Sequence, residues 1–163
     1  YNKGILNNGS HMIDLLLNLF FFFYVVTAFG AVNDYFKDDP TVSAILSINS
    51  DLPVHLVAAN ALDYNLFELE IIGSKEIITM RDGGLNWSSR KIVENPRFKG
   101  YKNLSKDNYF ENEYTGAMIG AVENIYNAIT VGEQLLCTGY EACAAHKICS
   151  DISEMAILNS YSK

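Results

Sequence analysis

From residue 15 to residue 32 the chain runs for eighteen positions without a charge, LLLNLFFFFYVVTAFGAV. A run like this needs cover. Each Å² of apolar surface left in water forfeits roughly 25 cal/mol. It is therefore either a membrane span or deep core, and its length reaches the membrane threshold. Two features argue for core. Asn18 interrupts the run, and Lys3 is the one cation ahead of it, too few for a signal peptide. Residues 20–26 are aromatic and β-branched, which suits a strand rather than a helix. The run is expected to divide into helix to about Leu19, a turn, and then a buried strand. No membrane association is expected, and a membrane anchor is the weakest of the alternatives.

The rest of the composition agrees with a globular domain. The chain has 163 residues, of which 49% are hydrophobic and 19% charged, enough to bury one core. A net charge of −7 excludes nucleic acid as an expected ligand, since phosphate binding needs a basic surface. Three cysteines form no small disulfide framework, so a reduced, cytoplasmic protein is expected. The first residue is Tyr1, not methionine, and we expect it to be internal to a longer polypeptide. No G-x-G-x-x-G and no P-loop pattern occurs, so a dinucleotide-binding half is not expected in this chain.

The region ahead of the apolar run carries the chemistry. Asn7, His11 and Asp14 are spaced so that one helix would place them on a shared face. Asn7, Asn8 and Ser10 are all N-cap residue types, so a helix is expected to begin here with His11 in its first turn. A histidine fixed at a helix start suits general acid/base work, although from spacing alone such residues are more often structural. Residues 9–12, Gly-Ser-His-Met, also spell a remnant of tag cleavage; such a remnant sits at a chain's very start, whereas eight residues precede this one.

This stretch, NNGSHMIDLL, resembles the D-x-G-x-H-x-x-D-L-L signature of the Gfo/Idh/MocA family of nicotinamide-dependent sugar and polyol dehydrogenases. The matching positions are Asn7, Gly9, His11, Asp14, Leu15 and Leu16. The resemblance implies a C-terminal substrate-binding and oligomerisation domain over residues 1–163, with the Rossmann domain outside the chain. It implies that His11 is catalytic, moving a hydroxyl proton. Asn7 stands where many members carry an acid, and it is implied as a substrate ligand or as a group that orients His11, with a helix cap as the plain alternative; Lys3, close by, is the other candidate for substrate binding. Asp14 falls on a position read as structural. The implied cofactor is NAD or NADP, bound mainly by the absent domain. The implied substrate is a sugar, nucleotide sugar or polyol. A homo-oligomer through a sheet face is implied too. The fragment alone is expected to be inactive. A non-catalytic dimerisation or ligand-binding module is the alternative.

Downstream, strands are expected over residues 41–49, 54–61, 66–72, 76–81 and 85–93, with turns at 50–53, 73–74 and 82–84. Glu68 and Glu70 alternate with apolar residues, so one sheet face there is expected to be polar. Residues 94–112 read as an irregular, charged loop. A helix opens at Thr115, with Met118, Val122, Ile125 and Ile129 on its apolar face. A second runs from about residue 140 to 155 behind the capping box Thr138-x-x-Glu141. Together these give an α+β class, an open, mainly antiparallel sheet with helices packed on one face.

The remaining candidates favour plain structure. Cys143, His146 and Cys149, with Cys137 upstream, invite a zinc reading. They lack C-x-x-C, and a three-residue spacing drifts about 60° off line per step, so no metal site is expected. His55 falls in a strand without a partner in view. Trp87, Arg81 and Arg90 flank the 82–84 turn, where ordinary sheet packing is expected over a sugar pocket or dimer surface.

Overall fold

The computed structural model describes residues 4–30, 39–49, 51–60, 63–112 and 114–160. They form an α+β structure of antiparallel strands and three α-helices. Two compact units contain them: residues 1–65 with 137–163, and residues 66–136.

The first unit holds most of the apolar core. A π turn, Ile5–Gly9, runs directly into helix α1, Ser10–Phe20. Strands β1 (Tyr24–Phe29), β2 (Ser43–Ile48) and β3 (Leu52–Leu56) make a three-stranded antiparallel sheet in the order β1-β2-β3. Helix α3, Gly139–Ser160, packs on β1 and on α1. Its buried residues Ala145, Cys149, Ile152 and Ala156 recur at helical spacing. The buried side chains of the same unit include Met12, Ile13 and Leu16 of α1 and, on β2, Leu46 at 0% exposure. Each fully buried Leu or Ile here contributes roughly 1.5–3 kcal/mol. Asn159 closes the far end of α3 by donating Nδ2–H to the Ala28 carbonyl at 2.8 Å.

The apolar run divides as expected, with two adjustments. The helix extends to Phe20, and β1 is an edge strand with alternating exposure instead of a buried one. Between them Phe23 is sealed at 1% exposure. The reversal itself falls on Phe21, at φ 62° and ψ −38°, a region where a side chain costs about 1–2 kcal/mol. Pro53 is inside β3 rather than in a turn; β3 is an edge strand, where a missing N–H is tolerated.

The second unit is built on strands β4 (Leu69–Ile72), β5 (Glu76–Arg81), β6 (Asn86–Glu94), β7 (Lys102–Leu104) and β8 (Asn108–Phe110). The first four run in sequence order, and β8 pairs with β6. The expected loop at 94–112 thus contains two strands; its charges are rim residues of a ribbon and hid the pairing. Helix α2, Ala117–Val131, has the expected 3.6-residue period, but its apolar face is open: Met118 is 78% and Ile129 80% exposed. Its buried residue is Asn124, which stitches the chain after the helix by accepting from Leu136 N–H at 2.9 Å and donating to the Gln134 carbonyl at 3.0 Å. Gly132 ends the helix at φ 74°, as a left-handed cap requires.

Phe21 generates a test. Its ring is 87% exposed, so little packing is lost when it is removed. Glycine relieves the backbone at the cost of roughly 0.4–1 kcal/mol of unfolded-state entropy. Phe21→Gly is expected to raise the urea midpoint, by a net gain of up to about 1 kcal/mol. A loss of stability would show that the ring is held.

Candidate active site around His11

The helix carrying His11 is anchored from outside itself. Asp39, 1% exposed, directs its carboxylate at the start of the helical run. Gly4 N–H donates to Oδ2 at 3.1 Å and Leu6 N–H to Oδ1 at 2.9 Å. Ile5 N–H donates to the Pro40 carbonyl at 3.3 Å. Three successive donors at a helix start, which otherwise lack partners, are satisfied by one distant dipeptide. The approach is so close that a Cβ on Gly4 would sit 1.8 Å from the Asp39 carbonyl oxygen. A side chain there is excluded.

None of the expected local caps operates. Gly9 precedes α1 with helical backbone angles and makes no side-chain cap. Ser10 instead donates Oγ–H back to the Asn7 carbonyl at 2.6 Å. His11 therefore lies one π turn into the run, not in the first turn of the helical segment. Asn7 and His11 share a continuous helical segment, with the π turn between them changing their angular phase.

His11 is exposed, and Asn7 and Asp14 are half-buried. On α1 the buried positions are Met12, Ile13 and Leu16, so the imidazole stands on the side turned away from the core. Lys3 lies outside the described residues. His55 is exposed on β3 opposite Ile45. Trp87 donates Nε1–H to the Gly84 carbonyl at 2.9 Å, and its ring lies 6.2 Å from that of Phe110. Arg90 Nε–H binds the Ser105 carbonyl at 3.1 Å. Both serve the sheet. A shallow, open depression of about 430 Å³ in the second unit is lined by Leu85, Tyr109, Phe110, Glu111 and Asn112. None of the residues singled out in the sequence faces it.

The cysteines do not converge. Cys137, Cys143 and His146 are exposed, whereas Cys149 is 0% exposed in the core. Burial, and then the nearby Asp39 carboxylate, push the Cys149 thiol up to about 11. Asp39 was not foreseen as a functional support. Its place before the β2 strand gives no local signal, because its targets are 33 and 35 residues away. The capping box is present: Glu141 Oε2 accepts from Thr138 N–H at 2.6 Å and from Thr138 Oγ1–H at 2.9 Å. Those bonds hold the Glu141 carboxyl below its ordinary range.

The fold is shared with parts of several solved oxidoreductase structures. One similar structure is UDP-N-acetylglucosamine 3-dehydrogenase GnnA from Acidithiobacillus ferrooxidans, with a TM-score of 0.62 and 14% identity over 96% of this chain and 52% of that one. Another is YvaA from Bacillus subtilis, assigned as an oxidoreductase, at 0.67 and 18% identity, over 96% of this chain and 50% of the other. A third, assigned as an NADPH-dependent oxidoreductase, comes from Desulfitobacterium hafniense, at 0.66 and 15%, over 99% and 47%. The chain thus spans about half the length of these neighbours. At such identities the likeness is one of fold. No protein-family model matches the sequence, and no curated protein is significantly similar to it. Among the described residues no helix is long and apolar enough to cross a membrane, and no group of three or more His, Cys, Asp or Glu could hold a metal ion.

Two outcomes check this site. Asp39→Asn removes a buried charge that accepts two backbone N–H groups and is expected to cost about 2–3 kcal/mol in equilibrium unfolding, with faster amide exchange at Gly4 and Leu6. Unchanged exchange there would remove the anchor. A thiol reagent at neutral pH is expected to modify Cys137 and Cys143 in the native protein and Cys149 only after denaturation. Because folding raises the Cys149 thiol from its usual 9.0 to about 11, its stabilising contribution is complete below pH 9.0 and is lost as pH rises from there through 11.

Proposed function

We propose that this chain is the substrate-binding and oligomerisation half of an oxidoreductase that moves a hydride between NAD or NADP and a hydroxyl or ketone of a sugar, nucleotide sugar or polyol. One observation carries the reading. The motif histidine, His11, is presented to solvent from a helix whose start is locked by a buried carboxylate, within a fold shared with solved oxidoreductases.

The nicotinamide supplies the hydride chemistry itself. A dinucleotide cradle needs a parallel βαβ unit with a glycine turn at a helix N-terminus. The strand pairs of the described residues are all antiparallel. The residues present do not fit that group, which we assign to an N-terminal domain outside this chain, and no step is derived through it. What this chain contributes is binding and proton transfer. His11 accepts the proton of the reacting hydroxyl as it becomes a carbonyl, or returns it in the reverse direction. An imidazole has a nitrogen that accepts a proton and one that donates, which suits it to general acid and base work. Asn7, lacking charge, orients the substrate through its amide, and Lys3 meets an anionic substituent such as a nucleotide diphosphate. A homo-oligomer through the sheet face completes the assembly.

The test is His11→Ala and His11→Asn in the enzyme that contains this chain together with its dinucleotide-binding domain. The ring is exposed, so folding is expected to persist. Turnover is expected to fall about 10²–10⁴-fold with a much smaller change in KM. Unchanged turnover would remove the catalytic role and favour the alternative of a non-catalytic dimerisation module, which the open apolar face of α2 also fits.

A further inference from the structure

The positive charge of the second unit is concentrated in one place. Residues 95–106, NPRFKGYKNLSK, contain Arg97, Lys99, Lys102 and Lys106 and no acid, a local charge of +4 in a chain that is −7 overall. Two rings alternate with these cations in the run Arg97-Phe98-Lys99-Gly100-Tyr101-Lys102. Phe98 is 63% and Tyr101 69% exposed. All four cations are exposed, and among the described residues none of them makes an ion pair. The flanking acids are Glu94, opposite Lys102 in the strand register, and Asp107, whose Oδ1 accepts from the Ser88 hydroxyl at 3.1 Å.

The segment is the end of a projecting ribbon. β6 and β7 pair through Ile92↔Leu104, Val93↔Asn103 and Glu94↔Lys102, while β5 follows β6 only as far as Lys91. The tip is built rather than loose. Asn95 Oδ1 accepts from the N–H groups of Arg97 at 2.8 Å and Phe98 at 3.0 Å, while Asn95 N–H donates to the Tyr101 carbonyl at 2.8 Å. Asn95 Nδ2–H donates to Asn103 Oδ1 at 3.0 Å across the ribbon. The Phe98 and Tyr101 rings meet edge to face at 6.2 Å.

Rings this exposed leave apolar area in water, and unpaired cations this close repel one another; both costs fall on one tip. A single strand of nucleic acid relieves both. It alternates phosphates with bases, so cations meet the first and rings stack on the second. A duplex hides its bases between its strands, and an acidic peptide meets the cations without calling for stacking rings. Net charge argues against nucleic acid only as an average over the surface. Beyond a Debye length of about 8 Å at physiological salt, the acids elsewhere on the chain are screened, and contact answers to the local +4.

We infer that the tip of the β6–β7 hairpin binds single-stranded nucleic acid, with Arg97, Lys99, Lys102 and Lys106 on the phosphates and Phe98 and Tyr101 each stacking against a base. The fixed backbone of the tip presents both rings before the strand arrives, so little ordering is left to binding. Sequence preference is weak, because every base offers a flat face. This activity is separate from the hydride-transfer reading and uses neither His11 nor Asn7.

Fluorescence anisotropy of labelled oligouridine and oligo-dT, titrated with the intact protein that contains this chain, tests it. Binding to either single strand is expected, with a duplex of the same length bound more weakly. The logarithm of the affinity is expected to fall with the logarithm of salt concentration at a slope of about −2 to −3, as three or four phosphate contacts require. Lys99→Gln with Lys102→Gln is expected to flatten that slope by about 1.4. Phe98→Ala with Tyr101→Ala is expected to weaken binding at least about 30-fold and to leave the slope unchanged. All four side chains are exposed, and circular dichroism checks that each variant folds. No binding to either strand at low salt would overturn the inference, and binding left intact by both variants would place it elsewhere on the protein. Binding that the lysine variant weakens and the ring variant does not would reduce the hairpin to a general polyanion surface. Tighter binding to polyglutamate than to either oligonucleotide would assign the hairpin to an acidic protein segment instead.

Discussion

A single buried carboxylate holds the first unit in register. Asp39 is nearly inaccessible, yet it is not a stranded charge, because two backbone N–H groups point at it. Burying an unpaired carboxylate costs several kcal/mol; bonds to a charged acceptor return about 1.5–3 kcal/mol each. The balance holds only while both donors are present, which is why the contact fixes the chain so tightly. Gly4 cannot carry a side chain against it. The π turn that follows is continuous with α1, so the position of Asp39 propagates along the helix to Met12, Ile13 and Leu16 in the core and to His11 on the opposite side.

Much of this architecture is legible in local sequence. The capping box at Thr138 and Glu141 is read correctly because both partners and their target amides lie within four residues. The same holds for the β5 strand at residues 76–81 and for the turn at 82–84, where Gly83 and Gly84 adopt positive φ. The split of the apolar run is legible from its change of composition. Its hinge is not, because Phe21 takes a backbone conformation that the sequence would lead one to assign to glycine.

The failures share one physical cause. Asp39 sits among polar residues that look like a turn, and its meaning lies in amides more than thirty residues away. β7 and β8 are short, polar strands recognised only through β6, which they flank. Serine and threonine read as surface residues, yet Thr79, Ser88 and Ser89 are buried in the middle of this sheet. In α2 the apolar spacing correctly gives a helix, but spacing alone does not say what covers it. Periodicity reports that a face exists; burial depends on elements elsewhere in the chain or beyond it.

The motif around His11 shows the same division. Residue type and spacing identify the imidazole, while its support comes from Asp39 and its surroundings are open water. Water matters to the proposed chemistry. A proton transfer coupled to hydride loss proceeds best where solvent is excluded, since charges interact several-fold more strongly at an effective dielectric of about 20 than at 80. An exposed imidazole on α1 has orientation but no enclosure. On the proposed reading, orientation is this chain's share of the site, and enclosure is completed when the nucleotide-binding domain and substrate close over the helix. On the same reading, the Asp39 anchor serves the placement of His11 as well as stability. A ring that must meet a nucleotide held by another domain has to be placed to within a fraction of an ångström before that domain arrives.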